Sequence, residues 1–225
     1  MSNTAIILGA GNGTRMKSEK SKLLLEINGI TVIERTVKAF SDIDLVDEII
    51  VVCRENDFDD FEKVLGKYEL SYCFGGKTRQ ESVMNAVDTI DDCDLVIIHD
   101  GARPLITKKE IIDTINLAAE KGAAAVGVPV KDTIKVVDES KMIVDTPDRD
   151  SLVSIRTPQV FDFKAYVEAA ELAKSQGRDF TDDCRLFENC GKPVYTVMGD
   201  YGNIKITTPE DIPMAQSILN MRGDN

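Results

Sequence analysis

Residues 5–16 read Ala-Ile-Ile-Leu-Gly-Ala-Gly-Asn-Gly-Thr-Arg-Met. Four apolar residues run directly into glycines at alternate positions, Gly9, Gly11 and Gly13, with Ala10 between the first two. An apolar run bounded in this way predicts a buried strand. A glycine loop at the end of a strand lets the backbone approach a ligand and present its amides to anionic oxygens. The loop is a poor dinucleotide fingerprint, because G-x-G-x-x-G places Thr14 last when counted from Gly9 and Met16 last when counted from Gly11. No Gly-Lys-Ser/Thr follows it, so it is not a Walker A loop. Arg15 and Lys22 lie on the segment beyond the glycines. The loop reads either as a phosphate cradle or as a turn with solvated charges, and the two cations favour the cradle.

Outward from that strand, Glu48–Val52, Leu95–Ile98 and Ala123–Val130 are further apolar runs that predict buried strands. Thr31-x-x-Glu34, Thr78-x-x-Glu81 and Thr107-x-x-Glu110 have capping-box spacing and mark helix starts between the strands. Thr208-Pro209-Glu210-Asp211 predicts a last helix with Pro in its first position. Strands separated by helices call for βαβ crossovers, hence an α/β fold with a mainly parallel sheet covered by helices on both faces. Lys131–Pro147 departs from this scheme by alternating polar and apolar residues on both sides of Asp138–Lys141. It predicts a protruding β-hairpin arm, about residues 131–150, within a single domain spanning residues 1–225. A lone hairpin is marginal, so a second copy of the chain is the simplest surface for it to pack on.

The whole chain, 225 residues with 27 Lys+Arg against 39 Asp+Glu, carries a net charge of −12. That argues against a general nucleic-acid binder and requires any anionic ligand to be held by a local basic cluster. Its apolar runs fall short of the roughly 20 residues needed to cross a bilayer, and no basic leader precedes the first strand, so a soluble cytoplasmic protein with no membrane partner is expected. Five irregularly spaced cysteines without a C-x-x-C pair read as reduced thiols. One histidine, His99, excludes multi-histidine zinc sites and reads as a packed residue rather than a base. Chemistry here rests on Lys, Arg, Asp and backbone amides.

Other segments could contribute. Gly75-Gly76-Lys77-Thr78-Arg79-Gln80-Glu81-Ser82 is a second glycine turn entering a capped helix, where Arg79 also reads as a solvated helix residue. His99-Asp100-Gly101-Ala102-Arg103-Pro104 follows a buried strand at the sheet edge where open α/β folds bind ligands. Asp100 reads equally as a Mg²⁺ ligand beside nucleotide phosphates or as a turn former paired with Arg103. Arg149, Thr181-Asp182-Asp183 and Gly202-Asn203-Ile204-Lys205 each have ordinary structural explanations when taken alone.

Taken in order, Gly9–Met16, Lys22, Gly75–Val83, His99–Pro104, Val130–Lys135, Thr157–Gln159, Thr181–Asp183 and Asn203–Asp211 resemble the motifs of the 2-C-methyl-D-erythritol 4-phosphate cytidylyltransferase family over nearly the whole chain. The resemblance implies a Rossmann-like nucleotidyltransferase sheet with a hairpin arm exchanged across a homodimer. It implies the reaction of CTP with a sugar-alcohol phosphate, giving a CDP-alcohol and pyrophosphate in non-mevalonate isoprenoid biosynthesis, with Mg²⁺. By position, Gly9, Ala10, Gly11 and Gly13 would cradle CTP, and Gly76 and Ser82 would read its cytosine. Arg15 and Lys22 would neutralise charge at the α-phosphate. Asp100 would position Mg²⁺ or an acceptor hydroxyl, while Arg103, Thr133 and Thr181 would line the acceptor pocket. Arg149 from the neighbouring subunit, Thr157 and Lys205 would clamp the acceptor phosphate. The sister family acting on ribitol 5-phosphate is the alternative; it tends to carry Val-Arg-Pro where this chain has Gly101-Ala102-Arg103-Pro104. Departures from the family pattern are Ser21-Lys22-Leu23 for the usual Pro-Lys-Gln, Gly9 for alanine, and Lys77 where an acid is common.

Overall fold

The computed structural model describes residues 2–11 and 21–223. Gly13 and Arg15 therefore lie outside the described residues, as do Asn12, Thr14 and Met16. The strands are β1 Asn3–Leu8, β2 Glu26–Ile27, β3 Ile30–Thr31, β4 Glu48–Cys53, β5 Ser71–Phe74, β6 Leu95–Asp100, β7 Ala123–Pro129, β8 Val136–Val137, β9 Ile143–Asp145, β10 Val153–Asp162 and β11 Tyr195–Met198. The helices are α1 Val32–Ser41, α2 Phe58–Leu65, α3 Arg79–Val87, α4 Lys108–Lys121, α5 Phe163–Ser175, α6 Asp183–Glu188 and α7 Asp211–Arg222. Seven strands form one sheet in the order β11-β7-β10-β6-β1-β4-β5, parallel except for β10, which runs antiparallel to both neighbours. The expected mainly parallel α/β architecture is what the chain adopts.

Alternation along the strands sends successive side chains to opposite faces. Ala5, Ile7, Ile49 and Val51 meet Val37 and Phe40 of α1, Phe61 of α2, Ile111 of α4 and Leu219 of α7. Ile6, Ile50 and Val52 meet Val83 and Val87 of α3, Tyr166 of α5 and Phe187 of α6. Both faces are thus covered, which is why the parallel strands read as continuous apolar runs. The four predicted strands are all present. β5, β10 and β11 were not anticipated, and β10 is the longest strand of all.

Thr31, Thr78 and Thr107 each accept a hydrogen bond from the amide of the glutamate three residues on, at 3.3, 3.1 and 3.2 Å. The reciprocal half of the box is present only at Thr107, whose N–H donates to Glu110 Oε2 at 2.9 Å. Glu81 instead accepts from the Lys77 amide at 2.7 Å, and Glu34 pairs with Lys67. The last helix corrects the expectation: it begins at Asp211, and Pro209 precedes it. Asp211 Oδ2 accepts from the amides of Thr207 and Thr208 at 2.6 and 2.8 Å, and the turn between them closes by bonds three residues apart, Asp211 N–H to Thr208 O at 3.1 Å and Ile212 N–H to Pro209 O at 3.2 Å, so the regular helix starts after it. The hairpin exists as a separate two-stranded sheet, β8 against β9, closed by Asp138, whose Oδ1 accepts from the amides of Ser140 and Met142. Ile134, Val136, Val137, Met142, Ile143 and Val144 on it are all exposed.

Buried Glu110 joins three parts of the molecule. One carboxylate oxygen accepts from the amide and hydroxyl of Thr107, and the other accepts from the Asp200 amide at 2.9 Å. Glu110→Ala leaves those part-buried amides without their acceptor and is expected to lower unfolding free energy by about 2 kcal/mol. Urea denaturation checks this, with a loss under about 1 kcal/mol counting against the linkage.

Candidate active site

In the strand order β4-β1-β6 the chain steps outward from β1 in two directions, and the loops leaving the carboxyl ends of these strands define a crevice. Backbone contacts stitch those ends together: Gly9 N–H donates to Val52 O at 2.7 Å, Gly75 N–H to Cys53 O at 2.9 Å, and Gly101 N–H to Leu8 O at 2.9 Å. A Cβ on Gly9 would stand 2.8 Å from Val52 O and 2.9 Å from Phe61, so a side chain there would require these neighbours to shift. Gly9 therefore serves by close packing, and its amide, engaged by the sheet, is not offered to a ligand as expected. Gly11 has open space where its side chain would be.

The crevice holds a cleft of about 540 Å³. Gly9, Ala10 and Gly11 line one wall together with Lys22. Gly76, Lys77, Thr78, Arg79 and Ser82 form a second wall, and Asp100, Ala102, Lys205 and Thr207 a third. Lys22 Nζ donates to Ile206 O at 2.6 Å, linking the first wall to the third. Ser82 Oγ accepts from Gly76 N at 3.0 Å and donates to Thr78 O at 2.8 Å, so the second glycine turn is fixed by its own helix.

Asp100 is the single carboxylate among the described lining residues. Its Oδ2 lies 3.0 Å from Lys205 Nζ and 3.1 Å from Arg103 Nε. Burial works to raise its pKa, but Lys205, Arg103 and Arg79 outweigh that and hold the carboxyl well below the usual carboxylate range. It is charged at any working pH. Of the two readings of Asp100 from sequence, the pairing with Arg103 is present, and the same carboxylate also lines the cleft.

Arg79 is not a solvated helix residue. Its Nη1 stands 2.5 Å from Asp183 Oδ2, and Asp183 is buried and also accepts from Tyr166 OH at 2.8 Å. Burial opposes the charge on Arg79, and Asp183 and Asp100 more than restore it. Sequence reading missed this pair. The available signal was that Arg79 is the first residue of a helix, where a cation opposes the dipole and needs a carboxylate to explain it.

His99 is buried with both ring nitrogens occupied. Arg103 O can only accept, so Nε2 donates to it at 3.2 Å; Nδ1 then accepts from Thr157 Oγ1 at 3.0 Å. Thr157 Oγ1 in turn accepts from the Asp100 amide at 3.0 Å. Burial depresses the His99 pKa to about 3, so the ring is neutral, and the residue is packed and hydrogen-bonded as the sequence suggested. Thr157 sits behind Asp100 with its hydroxyl fully engaged, and not among the lining residues where the resemblance would put it. Arg103 stays beside the site, with Nη1 donating to Asn203 O at 3.1 Å. Thr133, Arg149 and Thr181 are exposed and do not line this cleft. Arg149 lies at the foot of the arm, where its Nη1 donates to Lys131 O at 3.2 Å. Thr181 immediately precedes Asp182, which caps α6.

Among the described residues no group of three or more His, Cys, Asp or Glu side chains could form a metal cage. One ionised carboxylate suits a cation that takes most of its ligands from substrate phosphates and water, the habit of Mg²⁺. No helix among the described residues is long and apolar enough to cross a membrane.

The family model for 2-C-methyl-D-erythritol 4-phosphate cytidylyltransferase (IspD) matches residues 3–221. A cytidylyltransferase of that name from Caldanaerobacter subterraneus is 47% identical, covering 97% of this chain and 99% of its own, and one from Clostridium perfringens is 44% identical over 96% and 97%. The crystal structure of 4-diphosphocytidyl-2C-methyl-D-erythritol synthase from Anaerococcus prevotii superposes with a TM-score of 0.88 at 36% identity, covering 97% of this chain and 96% of that one. The cytidylyltransferase from Thermus thermophilus gives a TM-score of 0.79 at 27% identity, covering 98% of this chain and all of its own.

With a buried neutral ring, the one histidine is expected to show imidazole NMR signals that do not shift between about pH 8 and pH 5. A titration midpoint near the ordinary value of about 6.5 would mean the Thr157–His99–Arg103 chain is not closed.

Proposed function

The chain belongs to the 2-C-methyl-D-erythritol 4-phosphate cytidylyltransferase family, and from that premise we propose how its residues divide the work of transferring CMP from CTP to 2-C-methyl-D-erythritol 4-phosphate, the reaction it catalyses with release of pyrophosphate. An oxygen of the acceptor phosphate forms a bond to the α-phosphorus as the bond from that phosphorus to the β-bridging oxygen breaks. A phosphate is already a competent nucleophile at neutral pH, so the site has to align two anions and stabilise charge at phosphorus rather than remove a proton. The observation that carries this reading is one cleft lined by Lys22, Arg79 and Lys205 together with Asp100 and the glycine walls.

In this scheme Ala10 and Gly11, with Gly13 and close-packed Gly9, receive the triphosphate, and Gly76 and Ser82 receive the cytosine. Lys22 and Arg15 stabilise the charge that develops at the α-phosphorus. Lys205 and Arg103, steadied by Asp100, hold the acceptor phosphate, and Thr157 fixes Asp100 from behind. Mg²⁺, with Asp100 as its protein ligand, would screen the triphosphate and help orient it. Thr133, Thr181 and Arg149 complete the acceptor pocket, with Arg149 reaching the site of the second subunit in a homodimer. The exposed apolar arm supports that dimer. A single domain with an excursion, and a reducing cytoplasmic setting for its five free thiols, complete the proposal.

Pyrophosphate release from CTP and Mg²⁺ tests the acceptor. 2-C-methyl-D-erythritol 4-phosphate is expected to support turnover and ribitol 5-phosphate little or none; the reverse order would overturn the assignment. A second test addresses the dimer. Lys22→Ala is expected to lower kcat by about a hundredfold or more, by analogy with loss of a transition-state donor, while the lost bond to Ile206 O costs only about 1–2 kcal/mol of stability. Mixing it with Arg149→Ala is expected to restore activity, since one site of each hybrid keeps both residues. No recovery in proven hybrids would place Arg149 outside the neighbour's site.

A further inference from the structure

Lys205 stands on a strap, residues 199–210, that joins β11 to α7 without regular secondary structure. Such a segment has no ladder to fix it, so the position of the Lys205 ammonium depends on side chains that grip the strap. One of these was not singled out from the sequence. Arg156 Nη1 lies 3.2 Å from Asp200 O, 3.0 Å from Tyr201 O and 2.7 Å from Asn203 O. Asn203 O also accepts from Arg103 Nη1 at 3.1 Å. Two guanidinium groups thus converge on one carbonyl, two residues before Lys205.

The sheet itself aims Arg156 at the strap. Ile155 pairs with Gly127 and Gln159 with Ala125, so three residues of β10, Arg156 to Pro158, face the single Val126 of β7. This bulge lifts Arg156 and Thr157 out of the ladder and re-aims both. Thr157 turns to Asp100 and His99 and, through its carbonyl, accepts from Asn203 Nδ2 at 3.0 Å. Arg156 turns to the strap.

Its environment is costly for a charge. Burial disfavours the guanidinium and neighbouring Arg103 repels it; Glu110 and Asp200 bear on it favourably, but among the described residues neither forms an ion pair with it. A cation set against carbonyl dipoles, with no paired carboxylate, is ill placed to serve stability alone. It is well placed to curve a strap.

We propose that Arg156 is a positioning residue for the acceptor phosphate: by gathering the carbonyls of Asp200, Tyr201 and Asn203 it sets the strap so that Lys205 reaches Asp100 and the incoming phosphomonoester. This rests on the role given above to Lys205. Arg156 does not line the cleft, so its effect passes through Lys205 and not through substrate contact.

The test is steady-state kinetics of Arg156→Met, Arg156→Lys and Lys205→Ala, and of Arg156→Met combined with Lys205→Ala, with thermal unfolding of each. Arg156→Met is expected to raise KM for 2-C-methyl-D-erythritol 4-phosphate by about tenfold to a hundredfold, leaving KM for CTP within about twofold. Arg156→Lys, which can still donate to carbonyls, is expected to recover part of the loss. In the Lys205→Ala background the same substitution is expected to add less than about twofold. An unchanged acceptor KM with wild-type turnover intact overturns the proposal and leaves the Lys205 role standing. So does an equal rise in both KM values, or a full effect in the Lys205→Ala background, each of which makes Arg156 a general support of the fold. Lys205→Ala with an unaltered acceptor KM overturns the role of Lys205 and the proposal with it.

Discussion

One buried, ionised carboxylate sets the geometry of everything around it. Asp100 lies about 3 Å from an ammonium and a guanidinium, and a third cation, Arg79, bears on it from α3. Without the acid, those cations would repel one another by several kcal/mol, on the scale of about 4 kcal/mol per pair at 4 Å in a protein-like dielectric. With it they can stand together before any substrate arrives. The carboxylate is in turn held by its own backbone amide, which donates to Thr157 and so into the chain that ends at His99 and Arg103. From Asp100 through Thr157 and His99 to Arg103 each hydroxyl and ring nitrogen has a partner, and satisfied links of this kind specify position. The sole histidine belongs to this support.

The overall charge of −12 makes the same point from the other side. A protein so acidic repels polyanions at long range, and the attraction that binds a triphosphate has to come from a few cations close enough to escape screening. The cleft gathers these from distant parts of the chain: Lys22 follows the first glycine loop, Arg79 opens α3 and Lys205 precedes α7, with Arg103 after β6 just beside it. What brings them together is the parallel sheet, which delivers the carboxyl ends of β1, β4 and β6 to one crevice.

Much of this was legible in the residues, and what was not has identifiable causes. β1, β4, β6 and β7 are buried on both faces and could be read as apolar runs. Val153–Asp162 could not, because Arg156, Thr157, Pro158 and Gln159 break its pattern, and each is explained only by tertiary partners: Gln159 Nε2 donates to Asp182 Oδ1 at 2.6 Å and its Oε1 accepts from the Cys184 amide at 3.2 Å. β11 is a short edge strand with exposed Tyr195 and Met198. The final helix starts two residues later than its cap signal implies because the turn at Thr208–Ile212 closes by bonds three residues apart, a difference that spacing does not record. In the site, the glycine walls, Lys22, Asp100 and Lys205 were visible as motifs and do share one cleft. Arg79 was misjudged and Arg156 unnoticed, since an ion pair across 104 positions and a bulge both depend on contacts that spacing alone does not record.

The arm raises an energetic question that symmetry answers. Its six exposed apolar side chains, Ile134, Val136, Val137, Met142, Ile143 and Val144, keep between 42% and 61% of their surface in water, so covering them is worth about 1 kcal/mol each. One arm laid on a neighbour therefore contributes roughly 6 kcal/mol, near the lower end of the 4–15 kcal/mol that association costs in lost rigid-body freedom. Docking of a single arm leaves little net affinity. Reciprocal exchange doubles the burial for the same loss of freedom, which is the advantage of an isologous interface. Because Arg149 is tied to the Lys131 carbonyl at the root of the arm, the proposed exchange would move a cation together with the apolar surface. In the proposed dimer the force that makes the arm associate is thus the force that would deliver Arg149 to the second site.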